Sequence, residues 1–133
     1  MNKGEIRIAI NRDMDIARAI VQARKMSKQA AFTAVDQSKI ATVVSELARN
    51  ILKYAGHGHI ILCPLERGTA RGIEIVAEDH GPGIDDTMRA LSDHFSSGGT
   101  LGLGLPGVKR LMDDFDLQSN PGAGTRVTVR KWL

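Results

Sequence analysis

The chain has 133 residues, a length that supports one hydrophobic core but rarely two, so a single domain over 1–133 is expected. Apolar residues at 42% and charged residues at 25% fit a soluble globular protein and exclude disordered, fibrous and collagen-like classes. The net charge of +3 comes without like-charge blocks, and 4% aromatics leave few stacking platforms, which argues against nucleic acid as a partner.

"EIRIAI" (5–10) alternates, with Ile6, Ile8 and Ile10 on one face of a half-buried strand. Residues 12–30 follow as a helix, with Ile16, Ala19, Ile20, Ala23 and Met26 at helical spacing and Asp13 as the expected cap. A second helix over 33–56 carries the stripe Ile40, Val43, Val44, Leu47, Ala48 and Ile51, and Gly56 marks its stop. "HIILCPL" (59–65) and "GIEIVAED" (72–79) read as an antiparallel hairpin across the polar turn "ERGTAR". The single Cys63 excludes an internal disulfide and reads as a small buried hydrophobe. A charged N-terminus and the lack of a long apolar run predict neither a signal peptide nor a membrane span, so a cytoplasmic protein is expected.

The glycine-rich region 80–103 reads as irregular, with a short helix around "DDTMRALSDHF". A third helix is expected over 105–115, then "DLQSN", the turn "PGAG" and a closing strand over 125–133. This order predicts an α+β two-layer sandwich, its sheet mixed but mostly antiparallel, with the helices on one face.

Gly102, Gly104 and Gly107 spell G-x-G-x-x-G at the entrance to the third helix, where backbone N–H groups can approach a phosphate. A dinucleotide fold would place a strand directly before this motif, but "SDHFSSGGT" stands there. A P-loop would place lysine directly after Gly107, but Val108 occupies that position and Lys109 comes one residue late. A phosphate ligand here therefore requires a different fold.

Three further stretches bear on that ligand. Glu46, Asn50 and Lys53 lie on one side of the second helix, beside its apolar stripe, as pocket-lining residues or as an ordinary solvated edge. In "AEDHGPGI", Asp79 shares a strand face with Ile73, Ile75 and Ala77, so its carboxylate requires a donor. An adenine amino group would serve, with Gly81 and Gly83 leaving room for a flat base; a turn-capping aspartate is the alternative. Thr125 shares a face with Val127 and Val129 and points its hydroxyl inward.

The order E-x-x-x-N, D-x-G-x-G, G-x-G-x-x-G, G-T resembles the ATP-binding fold shared by gyrase, Hsp90, histidine kinases and MutL. "DQSKIATVVSELARNILKYAG", "AEDHGPGI", "GLGLPGVKRLMDDF" and the terminal "KWL" are similar to one branch, the RsbT-type serine/threonine kinases of the bacterial stressosome switch. The resemblance implies ATP and Mg²⁺ as cofactors, Glu46 as general base and Asn50 as magnesium ligand. It implies Lys53 as a phosphate contact, Asp79 as adenine anchor, Gly81 and Gly83 around the base, and Thr125 near it. Gly102, Gly104 and Gly107 become the phosphate-wrapping end of a lid over about 84–103.

The implied substrate is a STAS-domain antagonist, with a PP2C-type phosphatase as downstream partner. The chain lacks the phosphoacceptor hairpin of histidine kinases, and His57, His59, His80 and His94 read as surface imidazoles in loops or turns. An anti-sigma factor that sequesters a sigma subunit is the alternative from the binding class. A non-catalytic nucleotide-gated scaffold is a third reading, opposed by the retention of both Glu46 and Asn50.

Overall fold

Ile6, Ile8 and Ile10 form the edge strand β1 (Ile6–Ile10) in a computed structural model that describes residues 4–81, 104–120 and 122–133. Gly83, Gly102, His94, the expected short helix and the lid over 84–103 lie outside the described residues. Helix α1 (Asp13–Gln29) follows, and Arg12 rather than Asp13 occupies its cap position. Asp15 satisfies this end instead, its Oδ2 accepting from the N–H groups of Asn11 and Arg12 at 2.9 and 3.2 Å. An acid in the first turn reaches back to amides that have no partner within the helix.

Ala31, with φ of 68°, turns the chain into α2 (Ala34–Tyr54), where Thr33 Oγ1 accepts from the Asp36 N–H. All six residues of the expected stripe are buried. Gly56 ends the helix as expected, with φ of 84° and its N–H donating to the Ile51 carbonyl. The hairpin of β2 (Gly58–Arg67) and β3 (Ala70–Asp79) is longer than the sequence reading, because Arg67 pairs with Ala70 across a tight Gly68–Thr69 loop. His59, first residue of the expected strand, lies on β2 opposite Glu78, which settles it as a strand residue and corrects its reading as a loop or turn imidazole.

Helix α3 (Gly104–Leu111) is shorter than the expected 105–115, and β4 (Asp114–Asn120) begins where the helix was to continue. Phe115 fits both periods, the helical one with Leu105, Val108 and Met112 and the strand one with Leu117. Pairing decides between them: Trp132 donates to Asp113 and Asp114, and Asp113 donates to the Arg130 carbonyl. Strand β5 (Gly124–Trp132) closes the chain.

The sheet order is β1-β2-β3-β5-β4, and every pairing among the described residues is antiparallel, where the sequence reading expected a mixed, mostly antiparallel sheet. Strands β3 and β4 do run in the same direction, but β5 inserts between them, and β2 likewise separates β1 from β3. Parallel neighbours are thereby avoided.

The two-layer α+β sandwich stands as expected. Its core joins Ile10, Leu62, Ile75 and Val129 of the sheet to Ala23, Val44, Leu47 and Val108 of the helices. The other sheet face is laced by ion pairs: Glu78 with Arg7 at 2.8 Å and Arg126 at 3.5 Å, and Glu74 with Arg130 at 2.7 Å. Ile61, Cys63 and Val76 are buried on that face, away from the helix-side core. No helix among the described residues is long and apolar enough to cross a membrane.

Candidate functional site

The end of β3 carries Asp79 between two strands, with Gly58 of β2 and Thr125 of β5 as its register partners. The aspartate is half-buried, and its Oδ1 accepts from the Gly81 N–H at 2.9 Å. The turn-capping contact weighed in the sequence reading is therefore present, on one carboxylate oxygen. Gly81 lies against the end of α2: a Cβ there would stand 2.6 Å from the Ala55 Cβ and 2.9 Å from its Cα. That separation is below any relaxed carbon contact, so the strand end reaches the helix end only because residue 81 has no side chain.

Gly124 serves the same corner from the opposite side. Its φ is 96°, and a Cβ would fall onto the Asp79 carbonyl oxygen and lie 2.9 Å from the His80 Cα. The start of β5 is thus pressed onto the Asp79–His80 backbone. Thr125, next in the strand, lies 3.0 Å through its Oγ1 from the Ser119 Oγ of β4, which also donates to the Gly124 carbonyl at 3.3 Å. Ser119 was missed by the sequence reading, although the alternation Phe115, Leu117, Ser119 pointed it to this face.

The second part of the site runs along α2. Glu46 is buried at 8% exposure, Asn50 one turn on is half-buried, and Lys53 is exposed, with its ammonium 5.2 Å from the Tyr54 ring centroid. The Glu46 Oε2 accepts from the N–H of Gly104 at 3.4 Å, so the carboxylate meets the first residue of α3. Gly104 has φ of 66°, and Gly107 is buried within the same helix. An anion at a helix N-terminus is favourably placed, because the first amides lack partners and the dipole favours negative charge.

Two clusters therefore flank the C-terminal part of α2. Asp79, Gly81 and Thr125 gather near Ala55, and Glu46 with Gly104 gathers nine residues earlier, about 14 Å away along the axis at 1.5 Å per residue. Asn50 and Lys53 lie between them. No group of three or more His, Cys, Asp or Glu side chains suited to a metal is present among the described residues. A hard, mostly hydrated cation held by one protein oxygen and substrate oxygens suits the Asn50 amide better than a dedicated cage.

Residues 35–133 match the family of histidine kinase-, DNA gyrase B- and HSP90-like ATPases. The chain is 47% identical over 126 residues to the serine/threonine-protein kinase RsbT of Bacillus subtilis (strain 168), covering 95% of each. It is 28% identical over 100 residues to the anti-sigma F factor of Thermoanaerobacter sp. (strain X514), covering 71% of this chain and 68% of that protein. Among solved structures, a chain of the SiaB–SiaC complex from Pseudomonas aeruginosa matches with a TM-score of 0.57 at 12% identity. That match covers 97% of this chain and 89% of the other, and is a likeness of fold alone.

Proposed function

The chain belongs to the RsbT-type serine/threonine-protein kinases, within the histidine kinase-, DNA gyrase B- and HSP90-like ATPases, and from this premise we propose that it phosphorylates a STAS-domain antagonist from Mg-ATP. Serine/threonine phosphotransfer from ATP is the activity of the family. The observation that carries the site-level reading is the pair of clusters on α2, separated by a span that suits an extended nucleoside triphosphate.

In this reading adenine lies at the β3 end. Asp79 accepts a hydrogen bond from its exocyclic amino group, Gly81 holds the turn beside it against Ala55 in place of the open space expected there, and Thr125 contacts the base side. Gly83 is assigned to the same pocket by its place in the motif. The phosphates run toward Gly104 and Gly107, with Gly102 preceding them in sequence and Lys53 approaching from α2. Magnesium, held by Asn50 and phosphate oxygens, would neutralise charge on the transferring group.

Glu46 takes the proton of the incoming serine or threonine hydroxyl. The new O–P bond forms at the γ-phosphorus as its bond to the β-bridging oxygen breaks and ADP leaves. The hydrogen bond from the Gly104 N–H to Glu46 supports this reading, because it holds the carboxylate at the helix start to which the phosphates are assigned. A phosphate on the antagonist adds a dianion at its interface and loosens it. The kinase is then free to engage a PP2C-type phosphatase in a cytoplasmic partner switch.

The test is label transfer from γ-labelled ATP to a STAS-domain protein. Glu46→Gln should lower transfer by at least about 100-fold, the ordinary scale for removing a general base, while ATP still binds. Asp79→Asn should instead abolish ATP binding. Unchanged transfer by the Glu46 variant removes it from the base role, and tight ATP binding by the Asp79 variant removes the adenine assignment. The likeness to the anti-sigma F factor supports one second reading, direct capture of a sigma subunit. Co-purification with a sigma factor rather than a phosphatase would favour it.

A further inference from the structure

Four polar side chains are buried among the described residues: Asp15, Ser27, Glu46 and Lys131. The first two serve α1 itself, Asp15 at its N-terminus and Ser27 by donating to the Arg24 carbonyl. The other two are opposite in charge and stand at opposite ends of one helix. Glu46 accepts from Gly104, the first residue of α3, and Lys131 Nζ donates to the carbonyl of Leu111, its last residue, at 3.3 Å. Both charges complement the helix dipole.

A buried ammonium is costly unless it is paired and hydrogen-bonded. Lys131, at 8% exposure, has the Leu111 carbonyl and the Asp36 carboxylate of α2, whose Oδ1 lies 3.9 Å away. It therefore joins β5, α2 and the C-terminal end of α3. The helix needs such a tie. Eight residues are too few to be stable alone, and within the helix only Leu105, Gly107 and Val108 are buried.

We propose that Lys131 is a positioning residue for the phosphate end of the site: by holding the C-terminal end of α3 to β5 and Asp36, it fixes where Gly104 and Gly107 present their backbone. The proposal rests on the reading that nucleotide phosphates meet the start of α3. Lys131 touches neither substrate nor the reacting atoms and acts through the helix. Its consequence is selective. Loss of the tie lets α3 shift along α2, which misplaces the phosphate contacts, while Asp79, Gly81 and Thr125 keep their own register.

The experiment compares adenosine, ADP and ATP binding by calorimetry in wild type, Lys131→Met and Lys131→Arg, with thermal stability measured alongside. Lys131→Met should weaken ADP and ATP by at least about tenfold, the scale of loss from a small misplacement of positioned groups, and leave adenosine within about twofold. Lys131→Arg, which keeps the charge, should recover most of the loss. Equal weakening of all three ligands, or no weakening of ADP, overturns the proposal.

If the methionine variant does not fold, Asp36→Asn carries the test, because it loosens the same tie and keeps Lys131. ADP weakened by about threefold or more with adenosine unchanged supports the proposal, on the scale of one weakened ion pair. Unchanged ADP affinity refutes it. A wild-type protein that binds adenosine and ADP equally well refutes the placement of phosphates at α3, a failure of the functional reading and distinguishable from the others.

Discussion

Replacing Gly124 by alanine tests whether the corner around Asp79 is set by close backbone approach, and Gly122→Ala in the same hairpin provides the control. Both glycines have positive φ, 96° and 78°, so each alanine meets a backbone penalty of about 1–2 kcal/mol. Only Gly124 adds an overlap: its Cβ would fall on the Asp79 carbonyl oxygen, whereas a Cβ at Gly122 meets nothing within 4 Å. Relieving that overlap requires β5 to move away from β3, at a further cost of about 1–3 kcal/mol, the range for overpacking a fitted interior.

Gly124→Ala should therefore lose about 2–5 kcal/mol, and Gly122→Ala about 1–2 kcal/mol. Urea unfolding followed by circular dichroism measures both, with an unchanged m-value reporting that the native and unfolded states stay comparable. Because Asp79 and Thr125 are opposite each other in the register, the Gly124 variant should also weaken adenosine, which Gly122→Ala should not. Equal losses of stability in the two variants would refute the close-approach account, whatever their effect on binding.

Asp15 governs a pH effect. Its carboxyl is held below the ordinary value of 3.8 chiefly by the Asn11 N–H, with Arg12 and Arg18 adding to this and burial opposing it. A lowered native pKa contributes stability above the unfolded value that is lost as pH falls through the folded one. Wild type should therefore exceed Asp15→Asn in stability above pH 3.8, and the gap should close below it in urea titrations; a constant gap would contradict this. Thr125→Val removes a hydroxyl bonded to Ser119, which keeps its bond to the Gly124 carbonyl, so about 1 kcal/mol of stability should be lost. ATP affinity should fall about threefold or more in the same variant, and unchanged affinity would remove Thr125 from the base pocket.

What the sequence revealed follows the range of the forces involved. The stripes on α1 and α2 were legible because helix burial repeats every three to four residues, and all six α2 positions are buried. Alternation likewise set the inward faces of β3 and β5. The end of α3 was misread because Phe115 satisfies two periods, and the deciding contacts, from Trp132 to Asp113 and Asp114, come from residues far along the chain. Lys131 was within reach of the alternation Thr125, Val127, Val129, but a lysine near a strand end reads as solvated until the Leu111 carbonyl and Asp36 are seen beside it. The contact of Glu46 with Gly104 joins positions 58 apart, which no local pattern encodes.

The two ends of the candidate site are consequently held by different physics. At the Asp79 end, strand register and two glycines, Gly81 and Gly124, fix the geometry through backbone contact, so substitution of either glycine acts by steric displacement and is insensitive to salt. At the Gly104 end, a short helix is held by opposite charges at its poles, and the Glu46 carboxylate accepts from the same N–H that a phosphate oxygen would take. On the proposed placement of the phosphates, a phosphate oxygen arriving at that donor would displace the carboxylate and free it for a hydroxyl. Shortening the side chain by Glu46→Asp separates this exchange from simple repulsion, since the charge stays while its reach to Gly104 is lost. Tighter ADP binding by that variant, with adenosine unchanged, supports the exchange; unchanged ADP binding means that Glu46 and phosphate do not share the donor.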